Sequence, residues 1–126
     1  MPGEKILVID DSKFICALFK GELAGEGYVV DSVLSGEDAL EKAKSTKYSL
    51  IFVDMVLAGM DGVETCKALR KISPDSELIF MSGVYREMAD KEAQFIEAGG
   101  KSYHLYKPFY EGQILEVTKK ALANIG

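Results

Sequence analysis

The chain of 126 residues is poor in several residue types that mark particular classes of protein. It has two cysteines, one histidine, three prolines and no tryptophan. Two cysteines are too few for a disulfide-rich scaffold, and they do not combine with one histidine in any spacing typical of a transition-metal site. The longest apolar runs are about five residues, whereas a membrane-spanning helix needs ~18. The sequence therefore argues against a disulfide scaffold, a zinc domain and a membrane span.

Positive charge is also scarce, because 15 lysines and arginines face 20 aspartates and glutamates, for a net charge of -5 at pH 7. This balance argues against nucleic-acid binding through a basic face. The amino-terminal sequence MPGEKILVIDDS lacks the basic start and apolar segment of a secretory signal. We expect a cytoplasmic protein with one domain over residues 1–126 and no direct contact with nucleic acid or membrane.

Short apolar runs rich in β-branched residues alternate with segments of helical spacing. Ile15, Leu18, Phe19 and Leu23 share one face of the first such segment, and Ser35-Gly36-Glu37-Asp38 is typical of a capping box for the second. Five strands alternating with five helices predict a parallel sheet joined by right-handed crossovers. The five predicted strands are Lys5–Ile9, Tyr28–Val33, Ser49–Val53, Glu77–Met81 and Tyr103–Tyr106.

Four of the five predicted strands are followed by a chemically capable side chain. Most of them have an ordinary explanation when taken alone. Asp10 and Asp11 could cap a helix, Ser82 could be a loop hydroxyl, and Lys107 could be a solvated surface residue. Asp54 is harder to explain in this way, because an unpaired buried carboxylate is costly. In a doubly wound sheet, however, ligands bind outside the carboxyl ends of the strands, so we expect all of these side chains to meet in one crevice. They are Asp10, Asp11, Asp54, Ser82 and Lys107.

The charge of this crevice predicts its chemistry. Two carboxylates about 4 Å apart repel by ~4 kcal/mol at an effective dielectric constant near 20, and a single lysine cannot balance three of them. Mg²⁺ is a hard cation that prefers oxygen ligands and often binds one or two carboxylates together with phosphate oxygens. Acids, Mg²⁺, a lysine and a hydroxyl are the parts of a phosphoryl-transfer site, in which an aspartate can act as the nucleophile.

These residues, in this order, resemble the receiver domain of bacterial two-component response regulators. The resemblance covers essentially the whole chain and rests on KILVIDDS at 5–12, IFVDMVLAGMDG at 51–62, FMSG at 80–83 and YKPF at 106–109. It implies an α/β fold of the flavodoxin-like, doubly wound (βα)5 type, with a parallel five-stranded sheet of order 2-1-3-4-5.

The resemblance also implies a role for each residue of the crevice. Asp54 would be the phosphoacceptor. Asp11 and Asp54 would bind Mg²⁺ directly, together with the backbone carbonyl of Val56, while Asp10 would act mostly through water. Lys107 would neutralise a phosphoryl oxygen.

Three further expectations concern the switch between the two signalling states. Ser82 would donate its hydroxyl to the phosphoryl group. The peptide bond between Lys107 and Pro108 would be cis. The family usually has an aromatic residue three positions before the lysine, and its rotamer reports the switch. His104 would take this switch position, with Tyr103 as the alternative.

The resemblance implies a signalling domain rather than an enzyme. It would accept a phosphoryl group from a sensor histidine kinase or a phosphotransfer protein and would then control an unidentified effector protein. Since the sequence ends just after the fifth predicted helix, we expect the output to come from a partner or from a region outside this sequence. Two alternatives stay open: a docking module of this fold that works without phosphorylation, and a phosphatase with an aspartyl nucleophile. The phosphatase pattern of acid, spacer and acid is not matched by Asp10-Asp11-Ser12.

Overall fold

The fold is taken from a computed structural model that describes residues 3–83, 88–100 and 104–123. The side chains of residues 88–92 and of His104 lie outside this description. The strands are β1 (Lys5–Ile9), β2 (Val29–Val33), β3 (Leu50–Asp54), β4 (Glu77–Ser82) and β5 (His104–Tyr106). The helices are α1 (Lys13–Ala24), α2 (Gly36–Ser45), α3 (Gly62–Ile72), α4 (Met88–Glu97) and α5 (Gln113–Ala123).

The five strands form one parallel sheet in the order β2-β1-β3-β4-β5. This order confirms the predicted doubly wound fold, in which the chain turns back at β1 and the carboxyl ends of β1 and β3 are neighbours. The longest described helix, α1, has 12 residues. Within the described ranges, no helix has both the length and the apolar character needed to cross a membrane.

Two strands extend one residue further than the apolar runs predicted. Asp54 is the last residue of β3 and Ser82 is the last residue of β4. The reason is that the sheet ladder continues past the apolar residues. The Met55 N–H donates to the carbonyl of Met81 (3.0 Å), and the Lys107 N–H donates to the carbonyl of Ser82 (2.7 Å). Both side chains are therefore carried on the rigid edge of the sheet rather than on loops.

The sheet is covered by helices on both faces, because β1, β3 and β4 alternate buried side chains between two apolar clusters. Leu7 and Ile9 belong to one cluster, and Ile6 and Val8 belong to the other. Cys66 lies in the first cluster and Cys16 in the second, and both thiols are free and buried. The two cysteines therefore lie on opposite faces of the sheet and form no disulfide.

The first residue of α3, Gly62, packs directly against the backbone at the end of β3. A Cβ atom added there would lie 2.6 Å from the carbonyl oxygen of Asp54 and 2.7 Å from the Cα of Met55. We therefore expect Gly62→Ala to lower the free energy of unfolding by ~1–3 kcal/mol, the usual cost of overpacking. Urea denaturation measures this difference.

Gly21, in the middle of α1, provides the matched control. A Cβ added there meets no atom within 4 Å, so Gly21→Ala should raise the free energy of unfolding by up to ~1 kcal/mol through helix propensity alone. Equal effects of the two substitutions would show that the contact of α3 with β3 is not as close as described.

Candidate functional site

Three carboxylates meet at the carboxyl edge of the sheet. Asp10 and Asp11 follow β1, and Asp54 ends the neighbouring strand β3. One carboxylate oxygen from each residue lies within 4.8 Å of the others. Asp10 and Asp54 are buried, whereas Asp11 is exposed. The structure therefore brings together the three acids that the sequence placed at strand ends, with one side of the cluster open to solvent.

The start of α1 shows how the capping and site functions are divided among adjacent residues. Ser12 is the N-cap residue, and its hydroxyl accepts a hydrogen bond from the N–H of Ile15 (3.3 Å). The Oδ1 of Asp10 accepts from the N–H of Ser12 (2.9 Å), which fixes the orientation of this carboxylate. Capping explains Ser12, but it does not explain the proximity of Asp10 and Asp11 to Asp54.

Lys107 contributes positive charge to the same crevice. Its Nζ lies 2.7 Å from Oδ2 of Asp10 and 3.2 Å from Oδ2 of Asp54. The peptide bond between Lys107 and Pro108 is cis, as predicted. The ammonium group thus bridges acids from two adjacent strands.

The other predicted site residues are described to different extents. Ser82 is fully buried at the end of β4, the strand next to β3, and its carbonyl accepts the Lys107 N–H. Val56 is 59% exposed, and its N–H donates to Oδ1 of Asp54 (3.3 Å). The backbone of His104 pairs with Phe80 in the sheet. The side chain of His104 and the whole of Tyr103 lie outside the described residues, so the choice between them for the switch position stays a prediction.

The electrostatics of the crevice favour binding of a cation. Burial, followed by the charge of Asp10, raises the pKa of Asp54 from 3.8 to about 6, although Lys107 acts in the opposite direction. Burial lowers the pKa of Lys107, but its hydrogen bond to Asp10 and the charges of both aspartates outweigh burial, so the net shift is upward. One ammonium group therefore balances only part of the negative charge of the three carboxylates. This oxygen-rich donor set with excess negative charge fits a hard divalent ion.

The raised pKa of Asp54 predicts a pH-dependent effect of Asp54→Asn on stability. Because the folded state binds this proton more tightly than the unfolded state, the ionised carboxylate costs stability increasingly as the pH rises from 3.8 to about 6. With EDTA present, Asp54→Asn should therefore stabilise the protein more at about pH 7.5 than at about pH 4.5, by ~1–3 kcal/mol.

Chemical denaturation of both proteins at the two pH values measures this difference. A gain that is the same at both values would contradict the raised pKa. If the crevice binds a divalent cation, protons should compete with that cation, and its affinity should fall as the pH drops through about 6.

Comparison of the sequence with known families gives a match over most of the chain. The sequence profile of the response regulator receiver domain matches residues 6–119. The chain belongs to the response regulator receiver family. Among its relatives is the chemotaxis protein CheY of Thermotoga maritima, which is 29% identical over 119 residues, covering 94% of this chain and 97% of CheY. The receiver chain also matches curated transcriptional regulators, of which it spans only 26% to 48%.

Solved structures agree with the receiver assignment. A two-component response regulator from Clostridium difficile superposes with a TM-score of 0.88 at 28% identity, covering 98% of both chains. A response regulator from Burkholderia pseudomallei superposes with a TM-score of 0.77 at 25% identity, covering 96% of this chain and 75% of that one. The Burkholderia structure contains a phosphorylated aspartic acid, a calcium ion and citrate.

The sequence did not predict one polar contact near the crevice. The carboxylate of Glu37, on α2, accepts the N–H of Met60 in the loop between β3 and α3 (3.1 Å). The sequence assigned the segment 35–38 only to helix capping, and Ser35 does cap α2 by accepting the Asp38 N–H (3.1 Å). A contact over 23 residues leaves no local sequence signal, because it depends on how α2 and the loop are brought together.

Proposed function

We propose that this receiver domain accepts a phosphoryl group on Asp54 and that Asp10, Asp11, Asp54 and the Val56 carbonyl provide the Mg²⁺ site. The observation that carries the proposal is the cluster of three carboxylates, two of which are bridged by the Lys107 ammonium group. Bound there, Mg²⁺ would supply positive charge to the phosphoryl oxygens. The phosphorylated aspartic acid and the calcium ion of the Burkholderia relative support the same assignment.

The proposed reaction is a displacement at phosphorus. A carboxylate oxygen of Asp54 forms the new P–O bond while the bond between phosphorus and the donor breaks, and the electron pair of that bond leaves with the donor group. The product is an acyl phosphate. Lys107, which already contacts Oδ2 of Asp54, would balance part of the charge on the transferred group.

The switch in this proposal depends on the residues at the ends of the neighbouring strands. A phosphoryl group on Asp54 adds about two negative charges and strong acceptor oxygens. The Ser82 hydroxyl would donate to one of these oxygens, and Lys107 would turn from Asp10 toward the new dianion. His104, or Tyr103 as the alternative, would report the change at the switch position. The domain would thus signal through a shift between two conformations.

The expected donor is a sensor histidine kinase or a phosphotransfer protein, and the expected recipient of the signal is an effector protein of unknown identity. The relatives of this chain are of two kinds. The chain matches almost the whole length of a chemotaxis protein, but only a part of each transcriptional regulator. A role as a regulator agrees with this membership. The cytoplasmic location stays a prediction.

Intact-mass spectrometry after incubation with acetyl phosphate and Mg²⁺ tests the proposal. We expect the mass to increase by one phosphoryl group and the increase to disappear when EDTA replaces Mg²⁺. No increase in the presence of Mg²⁺ would favour the docking module that works without phosphorylation. Steady turnover of p-nitrophenyl phosphate would favour the phosphatase.

A further inference from the structure

The loop between β3 and α3 is held by two hydrogen bonds. At its base, the Gly62 N–H donates to the carbonyl of Met55 (3.3 Å). Two residues before Gly62, the Met60 N–H donates to Oε2 of Glu37 (3.1 Å). Val56, whose carbonyl belongs to the proposed Mg²⁺ site, lies in the segment between these two attachments.

Glu37 contacts the loop closely at two adjacent residues. Gly59, next to Met60, has a φ angle of +74°, and a Cβ added there would lie 2.9 Å from Oε2 of Glu37. The left-handed backbone at Gly59 turns the chain so that the Met60 N–H points toward the carboxylate, and the absence of a side chain lets the carboxylate approach. The backbone conformation of the loop therefore allows the Met60 N–H to bind the Glu37 carboxylate.

Gly36, the residue before Glu37 on α2, also packs closely against this loop. Gly36 is buried, and a Cβ added there would lie 3.3 Å from the Cγ and the Sδ of Met60 and would also meet the hydroxyl of Thr65 on α3. Glu37 lies in the first turn of α2, where the positive end of the helix dipole favours a carboxylate. The first turn of α2 therefore packs on the side chain of Met60 and binds its backbone.

From this geometry we infer that Glu37 is a positioning residue that holds the β3–α3 loop in the form needed for Mg²⁺ to bind through the Val56 carbonyl. The inference rests on the proposed function, since it concerns the same site. Glu37 acts through the loop and touches neither the carboxylate cluster nor the phosphoryl group. A charge-assisted hydrogen bond to a backbone N–H is strong enough to favour one loop conformation over several others.

The test compares Mg²⁺ affinity, measured by isothermal titration calorimetry, with exchange of the Met60 amide proton, measured by NMR in EDTA. We expect Glu37→Ala to bind Mg²⁺ about three- to tenfold more weakly and to exchange the Met60 proton faster. Glu37→Gln retains an acceptor oxygen and should recover most of both properties. Because Glu37 is exposed, both variants should stay folded in EDTA, and the loss of one surface hydrogen bond and one helix-dipole interaction should lower their melting temperatures by at most about 5 °C.

Glu41→Ala is the matched control, because Glu41 is an exposed acid on the same helix whose observed partner is Lys44. It should change neither the Mg²⁺ affinity nor the exchange of the Met60 proton. If Glu37→Ala binds Mg²⁺ as tightly as the wild type, or if Glu41→Ala weakens binding equally, the inference is overturned while the proposed function stands. If the wild type itself binds no Mg²⁺, the proposed function fails, and the inference fails with it.

Discussion

We expect the Asp54→Asn variant to gain no phosphoryl group from acetyl phosphate and Mg²⁺ under conditions that modify the wild type. Asp54 is 4% exposed and its carboxylate lies within hydrogen-bonding distance of Lys107 (3.2 Å). An amide has nearly the same shape but no anionic oxygen to attack phosphorus, so the rate should fall by at least about two orders of magnitude. Intact-mass spectrometry over a time course measures the loss.

Asp75→Asn is the control for this experiment. Asp75 is an exposed aspartate in the turn before β4, and its replacement makes the same chemical change away from the site. The control variant should gain the phosphoryl group at the rate of the wild type. Uptake by Asp54→Asn at a comparable rate would mean that another residue accepts the group.

The second large effect concerns Lys107. Asp10 is fully buried, and the Lys107 ammonium group lies 2.7 Å from its Oδ2. Removing one partner of a buried ion pair typically costs ~3–5 kcal/mol. Since the side chain of Lys107 is 23% exposed, we expect Lys107→Met in EDTA to lower the free energy of unfolding by ~2–4 kcal/mol.

Mg²⁺ should restore much of the stability lost in Lys107→Met, because it binds the folded state and supplies the missing positive charge. Lys119→Met is the control, since Lys119 pairs with Glu26 at 3.6 Å and both side chains are largely exposed. Its effect should stay below ~0.5 kcal/mol. Urea denaturation with and without Mg²⁺ measures all of these values. A Lys107→Met protein as stable in EDTA as the wild type would contradict the charge balance described for the crevice.

The sequence predicted which residues form the carboxylate crevice, because the alternation of strands with helices along the chain determines which residues follow the strands. Once apolar runs alternate with helices in a parallel sheet, residues that follow different strands must share one edge. This reasoning predicts from the sequence alone that Asp10, Asp11, Asp54, Ser82 and Lys107 lie at one edge of the sheet. Strand ends were less accurate, because an apolar run ends at its last buried hydrophobic residue, whereas the backbone ladder extends to Asp54 and Ser82.

Contacts that a side chain makes with a distant part of the chain could not be predicted in the same way. The Tyr48 hydroxyl donates to Oδ2 of Asp31 (2.6 Å), and Glu37 accepts the Met60 N–H. Neither pair has a sequence spacing that indicates contact.

Helical periodicity also overestimated the burial of the predicted apolar face of α1. Phe19 and Leu23 are fully buried, but Leu18 is 38% exposed because it lies at the margin of the face that packs on the sheet.

The most direct test of the central claim is to locate the phosphoryl group. Borohydride reduces an acyl phosphate to a primary alcohol, so a phosphorylated aspartate becomes homoserine, which tandem mass spectrometry identifies in a digest. After treatment with acetyl phosphate and Mg²⁺, we expect homoserine at position 54 and unchanged aspartate at positions 10 and 11. Homoserine at position 10 or 11, or a phosphorylated protein with none at position 54, would contradict the assignment of Asp54 as the phosphoacceptor.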